Sequence, residues 1–125
     1  MNLESVGISS IGGINNKLER GSIIISSIGG INGKPRPFAV IQTNLLTDNL
    51  FTVIVAPLTG EVNLQSEDFR PIIRPSITNH LDQVSQIMLD RITTIHKKDI
   101  HQVLGTVSKK ELTGLNSCVS FVLGL

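Results

Sequence analysis

The chain contains no tryptophan and no tyrosine, and only four of its 125 residues are phenylalanine. Proteins that coat single-stranded nucleic acid stack bases on aromatic faces, so this scarcity argues against a generic RNA-coating module. A single cysteine, Cys118, leaves no internal disulfide, and no Cys/His spacing has the form of a zinc site. The expected setting is a reducing cytoplasm, with no metal and no cofactor. Excess charge is also missing: 11 Lys and Arg against 10 Asp and Glu give a net +1. No global field draws in a polyanion, and any anion must be held by a local cluster. No apolar run approaches the roughly 18 residues of a membrane span. Glu4 and the lack of a basic segment before the first apolar residues do not read as a secretory signal. A soluble protein without a membrane partner is expected.

What is present suits one domain. At 40% hydrophobic residues, 125 residues can bury a proper core but leave little room for a second one. A direct repeat stands out: Ile8–Asn15 recurs identically as Ile25–Asn32. Two copies are too few for a stacked repeat fold. The second copy runs on into Gly33-Lys34-Pro35-Arg36 and is taken as structural. The first belongs to an extension, Met1–Leu18, expected to be a mobile arm or to lie along a sheet edge.

Beyond it, short β-rich runs alternate with turn residues, the pattern of a small all-β barrel or sandwich. Strands are expected at Ser22–Ser26, Phe38–Gln42 and Thr52–Ala56, the last stopped by Pro57. Phe69–Arg74 reads as an edge strand because it contains Pro71. Gln86–Asp90, Thr93–Ile95 and Val103–Val107 follow, with Leu45–Asn49 a turn of helix and Lys97-Lys98-Asp99 an exposed basic turn. The end of the chain changes period. Ser108-Lys109-Lys110-Glu111 has the spacing of a capping box, and Leu112, Leu115, Val119 and Val122 recur at helical spacing up to Gly124. Cys118 and Phe121 widen that stripe, either as core filler or as a second contact such as a dimer partner.

One stretch carries chemistry. In Lys34-Pro35-Arg36-Pro37 the prolines fix φ and bias Lys34 and Arg36 towards extended backbone, presenting a permanently charged guanidinium at a strand entrance. Such an arginine can read a phosphate or a carboxylate; a surface arginine in a turn is the plainer alternative. The three histidines have a suitable pKa for acid–base work, but His96 and His101 fall in the basic turn, where solvated surface is the simpler role.

In order along the chain, several blocks resemble the MazF/PemK/Kid family of toxins from toxin–antitoxin systems. They are Arg20-Gly21, Gly33–Pro37 leading into Val40-Ile41-Gln42, Val55–Thr59, Pro75-Ser76, Ser85–Arg91, Leu104-Gly105 and the terminal Leu123-Gly124-Leu125. The resemblance covers Arg20 to Leu125 and makes 19–125 the toxin domain. It implies an SH3-like barrel of the MazF/CcdB type, mainly β with a C-terminal helix, assembled as a homodimer. It further implies a cytoplasmic, metal-independent, sequence-specific endoribonuclease that cleaves single-stranded RNA through the substrate's own 2′-hydroxyl. The implied partner is an antitoxin whose disordered C-terminal tail crosses the dimer groove, with DNA bound only through that complex.

Carried over residue by residue, the resemblance implies Arg36, Thr59 and Asp90 as catalytic, with Lys34, Arg20, Gly60, Arg91 and Gln86 as RNA contacts. Arg36 suits charge stabilisation on the phosphorane. A pKa above about 12 makes it an awkward general acid. Thr59 could donate its hydroxyl to the same phosphate, or simply end a strand. Asp90 could act as base, orient Arg91, or serve as an ordinary turn or ion-pair group. The departures are Gly60 where a serine usually follows the threonine, His80 in place of a usual glycine, Met88 where one branch carries a catalytic arginine, and Asn32 and Gly33 where some members carry an acidic loop residue. Two other readings stand beside the nuclease. One is a CcdB-like protein that poisons DNA gyrase without catalysis, which the absence of any Trp disfavours. The other is an inactive relative kept for antitoxin or promoter binding.

Overall fold

The computed structural model describes residues 17–28 and 33–125. The first repeat copy, residues 29–32 of the second, and all but the last two residues of the expected arm lie outside these. The described residues form seven strands and two helices, with short 3-10 turns between them. Among the described residues no helix is long and apolar enough to cross a membrane.

β1 (Ser22–Ser26) is a Ser-Ile-Ile-Ile-Ser run that the sheet buries on both faces. Gly21 enters it at φ +91°, a conformation that L side chains rarely adopt, and a Cβ there would come within 3.1 Å of Val107. Its amide donates to Val40 O at 2.9 Å and its carbonyl accepts from Val107 N at 3.0 Å, so this residue ties β1 to two neighbours. β2 (Arg36–Val40) runs antiparallel to β1, and the one-turn α1 (Asn44–Thr47) leads on to β3 (Thr52–Thr59).

β3 is longer than expected, because Pro57 does not stop it. The strand pairs β2 on one side. On the other it changes partners, from β6 (Thr93–His96) along Thr52–Val55 to β5 (Ser85–Ile87) along Leu58–Thr59. The Pro57 carbonyl accepts from Met88 N at 2.8 Å on that second side. In a strand a residue's N–H and C=O point the same way, so the missing N–H of Pro57 falls where β6 gives way to β5 and leaves the β2 ladder whole.

β4 is only Ile72–Ile73 and pairs β5 alone, an edge position as expected but much shorter. The run expected up to Asp90 ends at Ile87, where the chain turns through a 3-10 segment, Leu89–Arg91. β7 (Ile100–Thr106) returns to β1, starting three residues before the expected position.

The strand sequence β6-β3-β2-β1-β7 curls until its two ends are joined by the 3-10 turn Lys97–Asp99. Inside the curl lie Ile24, Phe38, Val40, Val53, Val55 and Val103. The alternate residues Ile23, Ala39, Ala56 and Leu58 face a second cluster closed by Leu115 and Cys118 of α2 (Lys109–Leu123). The result is a small, partly closed β-barrel with a C-terminal helix packed outside it. α2 begins with the expected capping box, both Ser108–Glu111 bonds being made, and ends at Gly124 with φ 72°. Cys118 is core filler, whereas Phe121 is 63% exposed.

Leu18, the last residue of the expected extension, is buried in the inner cluster with Ile24 and Phe38. One expectation changes. Lys97 is fully buried, not part of a solvated basic turn, and its Nζ donates to the carbonyl of Thr47 at the end of α1. His96 and His101 on either side are exposed, and His101 Nε2 shares a 2.8 Å hydrogen bond with Ser27.

Candidate active site

The register of β2 against β3 pairs Phe38 with Pro57, Ala39 with Ala56 and Val40 with Val55. The paired stretch ends at Phe38 and Pro57, and Arg36 and Thr59 each stand two residues beyond it, at the same end of the two strands. Arg36 opens β2 half-buried, and its Nη2 donates to Leu58 O at 3.4 Å, which turns the guanidinium across to the end of β3. Thr59 Oγ1 accepts from Glu61 N at 3.1 Å. A hydroxyl that accepts through a lone pair still has its proton to give, so Thr59 can donate to a ligand oxygen beside Arg36. Lys34 and Gly60 are exposed next to these two residues. Four of the expected site residues thus gather at one end of the β2–β3 pair.

The remaining ones are placed differently. Arg20 lies at the far end of the same strands: its Nε donates to Ile41 O at 2.9 Å and its backbone N–H donates to Asn44 Oδ1 at 2.7 Å. Partial burial lowers its pKa from the ordinary value. Asp90 is gripped by Arg70, which donates to its two oxygens from Nε and Nη2, each at 2.8 Å. That bond holds the Asp90 carboxyl below its usual range and raises the Arg70 guanidinium. A carboxylate so paired is a weak proton acceptor, and its partner is Arg70, not the exposed Arg91.

Gln86 is 1% exposed. Its Oε1 accepts from Asn63 N at 2.7 Å and its Nε2 donates to Arg70 O at 2.7 Å and Asn63 O at 3.1 Å. The side chain therefore holds the segment after β3 in place and has no surface to offer. Among the described residues no group of three or more His, Cys, Asp and Glu side chains could hold a metal ion.

Sequence reasoning missed the loop before β5. Asn79 is fully buried and the chain wraps around its carboxamide. Nδ2 donates to Arg74 O at 2.8 Å, and Oδ1 accepts from Ser76 N and Leu81 N, each at 3.0 Å. Next to it His80 adopts φ 56°, the only positive φ among the described non-glycine residues. The glycine usual at this position in the resembled family has a physical reason, since it would sit there without strain. Further along, Gln83 lies over Gly60: a Cβ built on Gly60 would fall 2.3 Å from Gln83 Nε2. The signals were present as departures, a histidine and a glycine at unusual places, but nothing local shows that they belong to one loop.

The fold and this strand end define a small β-barrel protein with an anion-ready arginine and a hydroxyl side by side. The family model of the PemK-like, MazF-like toxins of type II toxin–antitoxin systems matches residues 19–123. An endoribonuclease MazF of Staphylococcus saprophyticus is 32% identical over 90 residues, 72% of this chain and 74% of the relative. Two solved structures share the fold. A mycobacterial endoribonuclease in complex with its cognate antitoxin has a TM-score of 0.73 at 20% identity, covering 86% of this chain and 96% of that one. The Mycobacterium tuberculosis toxin MazF-mt6 has a TM-score of 0.71 at 22% identity, covering 83% and 97%. The chain belongs to the PemK-like, MazF-like family of type II toxins.

Proposed function

We propose that this chain is the toxin of a type II pair and acts as an endoribonuclease on single-stranded RNA, with the substrate's 2′-hydroxyl as nucleophile. The observation that carries the reading is the Arg36 guanidinium, at the start of β2, donating to Leu58 O beside Thr59 at the end of β3, in a chain of this family. As the 2′-oxygen attacks, the 2′-proton leaves and the bond to the 5′-oxygen breaks, giving a 2′,3′-cyclic phosphate and, after protonation, a 5′-hydroxyl. Charge accumulates on the non-bridging oxygens in between. Arg36 meets that charge with a planar fork and Thr59 with a neutral O–H. In this scheme the cation at the phosphate is Arg36 itself, and no metal is required. Lys34 and Arg91, both exposed, are assigned to the RNA backbone.

The protein is proposed to act in the cytoplasm as a homodimer. Phe121, Leu123 and Leu125 expose 63%, 57% and 87% at the end of α2, apolar surface that a symmetric partner would cover. Its silencing partner is an antitoxin with a disordered tail, and any DNA contact runs through that complex. The test is cleavage of a long natural RNA by pure protein in EDTA, with both product ends analysed, followed by a substrate carrying one 2′-deoxy sugar before the cut. Cyclic phosphate ends and loss of cleavage at the deoxy site are expected. Cleavage unchanged by the deoxy sugar overturns the nucleophile and the roles given to Arg36 and Thr59.

A further inference from the structure

Gln102, Ile25 and Pro37 form a row across β7, β1 and β2, since Ile25 pairs with both of the others. Ile25 lies on the same face as Ile23, and Pro37 on the same face as Ala39, so this row continues the outer cluster beneath α2 past the point where the helix covers it. The space over it is an open cleft of about 430 Å³. Ile25, Pro37 and Leu104 line it from the strands, and His80, Asp82 and Gln83 from the loop before β5.

The loop is fixed from two sides. Buried Asn79 binds it from within, and it is pressed onto β7 so closely that a Cβ at Gly105 would lie 2.2 Å from Thr78 O. These contacts hold His80 in its left-handed conformation, a strain of the kind that persists only where surrounding structure enforces it. One flank of the cleft is Pro37, next to Arg36. The other is Gln83, whose carboxamide rests on Gly60, next to Thr59.

We propose that this cleft takes one base of the single-stranded RNA beside the cut and that Gln83 is a specificity-determining residue for it. The inference rests on the endoribonuclease reading and adds the subsite and its reader. An apolar floor receives the face of a base that is splayed out of the strand. The imidazole of His80 borders it, and Gln83, with one acceptor and two donors, reads the base edge together with the acceptor-only Asp82 carboxylate. Gly60 makes this possible. With a side chain at that position, Gln83 would be pushed off the backbone on which it lies.

The experiment is a cleavage map of one natural RNA by the full chain, compared with Gln83→Ala, Gln83→Glu and Gly60→Ala. Gln83 and Gly60 are both exposed, so the variants keep the core. Relaxed preference is expected at one fixed position relative to the cut in Gln83→Ala and Gly60→Ala, with about a ten- to hundredfold loss at the preferred base and little at the others, as for a lost edge contact. Gln83→Glu should change the preferred base. A map with the same consensus in all variants, whether slower or not, overturns the proposal while leaving the enzyme reading intact. Should the wild type cleave nothing, the enzyme reading fails, and single-stranded oligoribonucleotides of each base then decide the cleft by binding. A base-selective shift of the Gln83 side-chain amide resonance upholds it, and none overturns it.

Discussion

The two ends of the β1–β2 pair each carry an arginine, and they are built for opposite purposes. At the Arg20 end the guanidinium donates to the carbonyl of Ile41 and partial burial works against its charge. At the Arg36 end the one side-chain hydrogen bond among the described residues, to Leu58 O, is long at 3.4 Å, and it brings the group to the residue before a threonine that still has a proton to donate. A cation spent on the backbone closes a structure, whereas one steered but not saturated is left for a ligand. The same contrast separates Arg36 from Arg70, whose fork is filled by Asp90.

The comparison breaks if Arg36 can be removed without cost to turnover. Arg36→Ala should lower kcat/KM by on the order of 100- to 1000-fold, with thermal unfolding unchanged. A single-turnover assay beside a melting curve decides this. At the other end the loss should fall on stability. Leu18→Ala, which opens the inner cluster beneath that end, should cost about 2 to 3 kcal/mol in urea unfolding with turnover per folded molecule intact. Arg20→Ala sharpens the point: a raised KM with an undisturbed fold would make Arg20 an RNA contact after all, against the geometry.

Thr59→Val keeps shape and deletes only the hydroxyl. It should cost about tenfold in kcat, less than Arg36→Ala because a neutral donor is weaker than a charged one. The smallest effect belongs to Asp90. Its carboxyl is lowered by Arg70, so the pair's stabilisation is present above the ordinary carboxylate pKa of about 4. It is lost as pH falls below that value through the depressed folded one. The pair is solvent-accessible, so Asp90→Asn should cost at most about 1 kcal/mol at pH 7, with the difference from wild type vanishing in acid. A drop of a hundredfold in kcat would instead restore Asp90 to the reaction.

These contrasts were unevenly legible in the sequence. Arg36 was readable because the prolines on both sides constrain it locally, and α2 because a capping box and a helical stripe are written in neighbouring residues. β1 matched to the residue, bounded by Gly21 and the loop after Ser26. Pro57 misled because a proline ends a strand only if its N–H was owed to a neighbour, and which side a strand's N–H faces depends on partners far along the chain. Asp90 finding Arg70, Gln86 finding Asn63 and Gln83 covering Gly60 are likewise contacts across about 20 residues, with no periodic signature to announce them. The charge run Lys97-Lys98-Asp99 looked solvated by composition, yet one of its members serves a carbonyl 50 residues earlier.

That buried lysine gives the protein a chemical clock. Lys34, Lys98, Lys109 and Lys110 stand in solvent and will react with an amine-directed reagent at once, while Lys97 is sealed between α1 and the turn that joins β6 to β7. Its amine becomes available only when the curl opens. Under conditions where reclosing outpaces labelling, the lag between Lys97 and the other lysines measures the free energy of that opening, from one unmodified chain and a mass spectrum.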